Sequence, residues 1–133
     1  MRYLGVDYGS KKIGIAHSDE NGSLAFPHSI LPNNDSIIDA FREIIKEEDI
    51  STIVIGESLN DSGDPNIIMK EISTFKEILE KEFGLPVELE KEFLTSFEAR
   101  RFQSGKKEVD ASAAALILQR YLDRKTIEAK RTT

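Results

Sequence analysis

The fold of this 133-residue chain is decided by residues 3–17, which read YLGVDYGSKKIGIAH. Side-chain character alternates in 3–7 and again in 12–17, and turn-forming residues occupy 8–11 between them, which predicts an antiparallel hairpin. A third apolar run, 24–31, contains Pro27. Because proline cannot donate a backbone hydrogen bond to a neighbouring strand, we expect this third strand at an edge of the sheet.

Beyond the hairpin the apolar residues recur at helical spacing. The pattern predicts helices over 35–48, 65–83, 95–102 and 109–124, and short strands over 52–56 and 87–93. Three antiparallel strands followed by βαβ units give an α/β fold with a mixed five-stranded sheet and helices on both faces. A chain of this length, without a linker-like stretch, is expected to form a single domain over 1–133.

Composition excludes several classes of protein. The chain has no cysteine, which rules out disulfides and thiolate zinc sites, and the longest apolar run, 113–118, is far too short to span a membrane. We therefore expect a soluble, cytoplasmic protein. With 18 basic and 24 acidic residues the net charge is −6, which argues against a protein that wraps nucleic acid but leaves room for local basic patches.

One face of the predicted hairpin carries little side-chain volume, since Gly5, Gly14 and Ala16 can share it. The last helix is rich in alanine at 111 and 113–115, and its alanine face fits such a surface. If the two faces pack, Asp110 approaches Asp7. Two neighbouring carboxylates need a proton, a donor or a cation between them, and Mg²⁺ is one solution. The ordinary alternatives are a turn-forming Asp7 and a helix-capping Asp110.

Four segments, 7–16, 56–63, 92–99 and 110–119, together resemble the YqgF/RuvX family in order and spacing. The resemblance implies an RNase H-like fold and the activity of a Holliday junction resolvase or of a nuclease that processes the 5′ end of pre-16S rRNA. It also implies that Asp7, Glu92 and Asp110 form an acidic triad that holds one or two Mg²⁺ or Mn²⁺ ions for phosphodiester hydrolysis. From the sequence alone, Glu92 shares a strand face with Glu88 and Glu90, and a solvated charged face explains all three equally well.

This chain departs from the family pattern at three places. The usual Asp-Glu-Arg at the strand end is Lys91-Glu92-Phe93, so that an acid is replaced by a cation and an arginine is missing. The loop commonly written Gly-Leu-Pro-Leu-Asn is 56–60, GESLN, and the segment 103–108 is shorter than usual. These changes leave the triad intact and bear on substrate geometry and rate.

Nucleic-acid phosphates would have to meet local cations. The candidates flank the acidic residues in sequence, together with one polar loop residue: Lys11, Lys12, Asn60, Arg100, Arg101, Lys106 and Lys107. Solubilising surface is the ordinary alternative for the lysines and arginines, and turn formation for Asn60.

The leading hypothesis is therefore a metal-dependent nuclease acting on precursor rRNA or branched DNA. Paired cuts across a junction would require a homodimer. Two alternatives stay open. The first is a relative of actin-like ATPases, whose first phosphate loop is similar to 7–16, although such proteins use two domains. The second is a non-catalytic nucleic-acid-binding or regulatory protein, favoured by Lys91 and Phe93.

Overall fold

The computed structural model describes residues 1–57, 67–91 and 111–131. Within these ranges the chain forms five strands and three helices. The strands are β1 (Arg2–Tyr8), β2 (Lys12–Ser18), β3 (Ala25–Pro32), β4 (Ile50–Glu57) and β5 (Val87–Lys91). The helices are α1 (Ile37–Glu47), α2 (Ile67–Phe83) and α3 (Ala111–Arg131).

The strands form one mixed sheet in the order β3-β2-β1-β4-β5. The first three strands are antiparallel neighbours, and β1, β4 and β5 run parallel. The predicted α/β class, the hairpin and the edge position of the Pro27 strand are confirmed. An edge suits this strand because Pro27 has no N–H to offer a sixth strand.

The sheet has an apolar layer on each face. On one face α1 and α2 cover the β1 residues Leu4 and Val6, with Phe41 fully buried between helix and sheet. On the other face α3 packs through Ala114 and Leu118 in a smaller cluster. Strand alternation explains the division, since Tyr3, Gly5 and Asp7 point away from the Leu4 face.

The approach of α3 to the sheet is close at Gly5. A Cβ atom added to Gly5 would lie 2.7 Å from the Cβ of Leu118 and 2.9 Å from the backbone oxygen of Ala114. Gly5 pairs with Ala16 on β2, so the small residues lie side by side as expected. The predicted packing of an alanine-bearing helix on a glycine-bearing face is therefore confirmed.

One helix extends well beyond the sequence-based expectation. Helix α3 continues to Arg131 rather than ending near residue 124. Residues 123–129 of this helix are exposed and so lack the apolar periodicity that marks a helix. Local bonds support them, such as the one that the Thr126 hydroxyl donates to the Leu122 carbonyl at 3.0 Å. The predicted helix over 95–102 lies outside the described residues. None of the helices in the part of the chain that is described is long and apolar enough to cross a membrane.

Candidate metal centre

The carboxyl ends of three strands meet at one edge of the sheet. Because β1, β4 and β5 are parallel, and Val6 is level with Ile55 and Leu89, their last residues project together. In open α/β sheets, ligands bind outside the carboxyl ends of parallel strands. This edge is therefore where chemistry is expected.

Asp7 lies at this edge and is completely buried. It is the second-last residue of β1, pairs with Gly14 on β2, and shares the α3 side of the sheet with Gly5. An ionised carboxylate withdrawn from water is costly unless a positive charge or hydrogen-bond donors compensate for it. A core position at the end of a central strand is thus an unusual place for an aspartate that merely forms a turn.

The first turn of α3 lies at the level of Asp7. Helix α3 runs antiparallel to β1, since Ala114 and Leu118 cover Gly5 while Tyr121 contacts Tyr3, with ring centroids 5.7 Å apart. Asp7 lies two strand residues, about 7 Å, beyond Gly5. At about 1.5 Å of rise per residue, roughly five helical residues span that distance. Counted back from the middle of the Ala114–Leu118 segment, this reaches Ala111, where α3 begins.

The turn that follows Asp7 is exposed and basic. Lys11 and Lys12 are both solvent-exposed. The turn is tied to the end of β3 by Asn33, whose backbone N–H donates to the Lys11 carbonyl at 2.9 Å and whose side-chain amide donates to the Gly9 carbonyl at 2.9 Å. Sequence reasoning missed this role of Asn33, because its partners are more than twenty residues away.

The other predicted site residues lie outside the described residues. They are Glu92 and Asp110 of the triad, and Asn60, Arg100, Arg101, Lys106 and Lys107 of the phosphate-binding set. Two neighbours are described: Lys91 ends β5 one residue before Glu92, and Ala111 begins α3 one residue after Asp110.

The solvated acidic face proposed for β5 is wrong for Glu88 and Glu90. Both lie on the α3 side, where Glu88 accepts a hydrogen bond from the Tyr121 hydroxyl and Glu90 pairs with Arg124. Glu90 is only 5% exposed. The same carboxylate, by its hydrogen bond, raises the pKa of Arg124 above its ordinary value.

The donor chemistry at Asp7 fits a hard divalent cation. A carboxylate oxygen is the ligand that Mg²⁺ and Mn²⁺ prefer, and the Oδ1 atom is shielded from solvent. Among residues 1–57, 67–91 and 111–131, no three His, Asp or Glu side chains converge in a metal-binding group. A complete site would therefore need acids from other parts of the chain.

The fold is RNase H-like, which defines the class of protein. The chain is similar to *Thermus thermophilus* RuvC, with a TM-score of 0.60, 14% identity, and coverage of 95% of this chain and 96% of that one. A second structure, the same organism's RuvC in complex with a Holliday junction substrate, matches with a TM-score of 0.60 and 16% identity, again over 95% and 96% of the two chains.

The chain belongs to the RuvX family, because the model of that family matches residues 1–124. The family is described as a Holliday junction resolvase. Two relatives carry the name "Putative pre-16S rRNA nuclease". The one from *Oenococcus oeni* is 36% identical, over 94% of this chain and 96% of its own length. The one from *Nitratidesulfovibrio vulgaris* is 35% identical, over 92% and 94%. The resemblance seen in the sequence is confirmed.

Proposed function

We propose that this protein is a divalent-metal-dependent nuclease that hydrolyses phosphodiester bonds in nucleic acid, with Asp7, Glu92 and Asp110 as the metal-binding catalytic acids. The observation that carries the proposal is the burial of Asp7 at the carboxyl edge of the sheet, level with the start of α3. Membership of a resolvase family, over residues 1–124, supports a nuclease rather than an actin-like ATPase.

The proposed metal-binding role of Glu92 and Asp110, which lie outside the described residues, is supported by the positions of the residues next to them in the sequence. Asp110 is joined by one peptide bond to Ala111, the first residue of α3, and consecutive Cα atoms are about 3.8 Å apart. Lys91, the residue before Glu92 in the sequence, ends β5 on the edge that Asp7 also occupies. Asp7 supplies a fixed ligand, and the other two would complete the set.

When bound, one or two Mg²⁺ or Mn²⁺ ions would activate a water molecule and stabilise the leaving oxygen of an in-line displacement. The chain's own contribution is positional. Asp7 offers a carboxylate that is fully buried at the end of β1, and Lys11 and Lys12 offer exposed cations to the phosphates beside the scissile bond. Positioning of this kind accounts for a large part of rate acceleration in enzymes.

For the substrate we propose precursor 16S rRNA, because relatives that match over most of the chain are named for it. Branched DNA is the second candidate, because the family description names the Holliday junction. A junction cut symmetrically would need two active sites and hence a homodimer, whereas trimming one RNA strand would need one.

The test is a cleavage assay with purified protein, Mn²⁺ or Mg²⁺, and three substrates in parallel: a precursor rRNA fragment, a four-way junction and a linear duplex. Asp7→Asn, which keeps the shape and removes the charge, serves as the blank. We expect metal-dependent cleavage of the rRNA fragment by the native chain and none by the variant. Equal products from both proteins would mean that a contaminant is responsible and that Asp7 is not catalytic.

The same assay separates the non-catalytic alternative. If the native chain binds the nucleic acid in a mobility-shift experiment but cleaves none of the three substrates with either metal, the protein is a binding module. Lys91 and Phe93, which replace the usual acid and arginine, are then the first positions to restore. A Lys91→Asp, Phe93→Arg variant that gains cleavage would locate the loss in those two residues.

A further inference from the structure

Strand β5 is fastened to α3 by two polar contacts that the proposed chemistry does not use. Glu88 accepts from the Tyr121 hydroxyl, and Glu90 pairs with the guanidinium of Arg124. The Arg124 guanidinium also lies over the Tyr121 ring, 5.4 Å from its centroid. We name these four residues the β5–α3 clamp. From this geometry we infer that the clamp positions the carboxyl end of β5, and with it Glu92, relative to the rest of the metal centre; the inference rests on the proposed function.

The burial of the clamp indicates more than a surface ion pair. The Glu90 side chain is 6% exposed, whereas Arg124 is 47% exposed. A buried carboxylate on an inward-facing strand position is retained only with a partner, because the unpaired charge would be strongly unfavourable. The guanidinium also has a fixed planar shape, so its pairing with a carboxylate constrains orientation as well as distance.

Strand β5 needs such a restraint because it lies at an edge of the described sheet. Within the residues that the structure describes, it pairs with β4 alone, from the Ile53–Val87 pair to the Glu57–Lys91 pair. Lys91 follows Glu90 and is joined to Glu92 by a peptide bond, so a displacement of the end of β5 is passed on to Glu92 through the planar backbone.

Helix α3 is a suitable anchor because the same helix contacts the other side of the centre. Its first half packs on Gly5 of β1 through Ala114 and Leu118, and its second half holds β5 through Tyr121 and Arg124. A single continuous helix therefore fixes β5 against the strand that carries Asp7. The clamp residues are positioning residues and do not bind the metal or the substrate themselves.

The experiment measures Mn²⁺ binding by titration calorimetry for the native chain, Arg124→Gln, Glu90→Gln and Tyr121→Phe. The matched control is Arg42→Gln, which breaks an ion pair between Arg42 on α1 and Glu82 on α2, on the opposite face of the sheet. Unfolding temperature without metal, and kcat and KM for cleavage, are measured on the same proteins.

We expect Arg124→Gln and Glu90→Gln each to weaken Mn²⁺ binding by about tenfold or more, the effect typical of residues that support metal ligands. Tyr121→Phe, which loses only a hydroxyl, should weaken it less, and kcat should fall more than KM changes. Arg42→Gln should lower the unfolding temperature and leave Mn²⁺ affinity unchanged. Arg124→Lys, which keeps the charge without the planar fork, should recover part of the affinity.

Two results would overturn the inference that the clamp positions the metal centre. Unchanged Mn²⁺ affinity in variants with lowered unfolding temperature would make the contacts purely structural. Opposite effects, with Arg124→Gln binding tighter and Glu90→Gln weaker, would reveal a simple effect of net charge. If Glu90→Gln does not fold, Arg124→Lys and Tyr121→Phe decide the matter. The proposed function fails separately if the native chain binds no Mn²⁺, or if Asp7→Asn binds Mn²⁺ equally well. The inference about the clamp then fails with it.

Discussion

Substitution of Gly5 by alanine tests whether the packing of α3 controls the metal centre. The new Cβ would meet the Leu118 Cβ at 2.7 Å and the Ala114 carbonyl oxygen at 2.9 Å. Ordinary contacts start at 3.4 Å, so 3.4 minus 2.7 gives a displacement of 0.7 Å that α3 or β1 must make. One obstacle is a backbone atom and the other a Cβ, so rotation of a side chain cannot relieve the clash.

The expected cost follows from this clash. Overpacking of a core typically costs about 1–3 kcal/mol. Replacing glycine by alanine raises the free energy of unfolding by about 0.4–1 kcal/mol, because alanine restricts the unfolded chain, and this offsets part of that cost. With the middle of each range, about 2 minus about 0.7, the net destabilisation of Gly5→Ala is about 1.3 kcal/mol, which is measured as a lower urea midpoint with an unchanged slope. Leu118→Ala should not rescue it, because alanine keeps the offending Cβ.

The functional consequence is measured by the stabilisation that Mn²⁺ gives. A ligand at ten times its dissociation constant stabilises the folded state by about 1.4 kcal/mol. We expect Gly5→Ala to lose most of this increment, since α3 has moved away from Asp7. The matched control is Gly84→Ala: Gly84 has a φ of +65° and no atom within 4 Å of the new Cβ, so its cost is local backbone strain. It should retain the increment.

The reasoning is refuted if Gly5→Ala unfolds at the same urea concentration as the native chain, because α3 would then not touch β1 at this residue. It is refuted in its functional part if both variants are destabilised and both keep the full Mn²⁺ increment.

Three further outcomes are expected. Gln119→Ala should cost about 0.5–1.5 kcal/mol in urea unfolding, because the Gln119 amide oxygen joins the start of β3 to α3 by accepting from the partly buried Ala25 N–H at 2.9 Å. Hydrogen bonds from backbone N–H groups of its turn lower the pKa of Asp19, so Asp19 stabilises the folded state above its unfolded pKa and loses this effect as the pH falls through its folded pKa. Asp19→Asn should therefore flatten the acid limb of a profile of unfolding free energy against pH. An identical profile for the variant would contradict this. Replacing Lys11 and Lys12 by serine should lower the slope of log binding constant against log salt for the rRNA fragment by up to about 0.9 per lost phosphate contact, and an unchanged slope would make them ordinary surface.

Local patterns predicted the fold well because each feature had a local cause. Alternation over 3–17 predicted the hairpin, and Pro27 predicted the edge strand, since both depend on the backbone at those residues. The close packing of α3 on Gly5 followed from side-chain volume alone. The approach of Asp110 to Asp7, expected for the same reason, stays a prediction, because Asp110 lies outside the described residues.

Features that depend on distant partners were not predicted. Three glutamates at alternate positions of a strand indicate a solvent-exposed face, and only the contacts of Glu88 and Glu90 with α3, more than thirty residues away, show that these two lie on an inner face. Likewise, Asn33 is an ordinary turn residue until its bond to the Gly9 carbonyl is seen. The extension of α3 to Arg131 was missed because exposed turns have no apolar period to detect.

Helix α3 links these observations into one physical argument. A strand edge with a single buried carboxylate cannot bind a divalent ion tightly, since Mg²⁺ requires several oxygen ligands in near-octahedral geometry. Ligands from distant parts of the chain must then be held to fractions of an ångström, and loops alone are poorly suited to that. A rigid helix that touches Gly5 with one half and β5 with the other provides the needed reference. Substitutions on this helix that are far from any acid should therefore change metal affinity whenever they shift the helix, and should leave affinity unchanged when they do not.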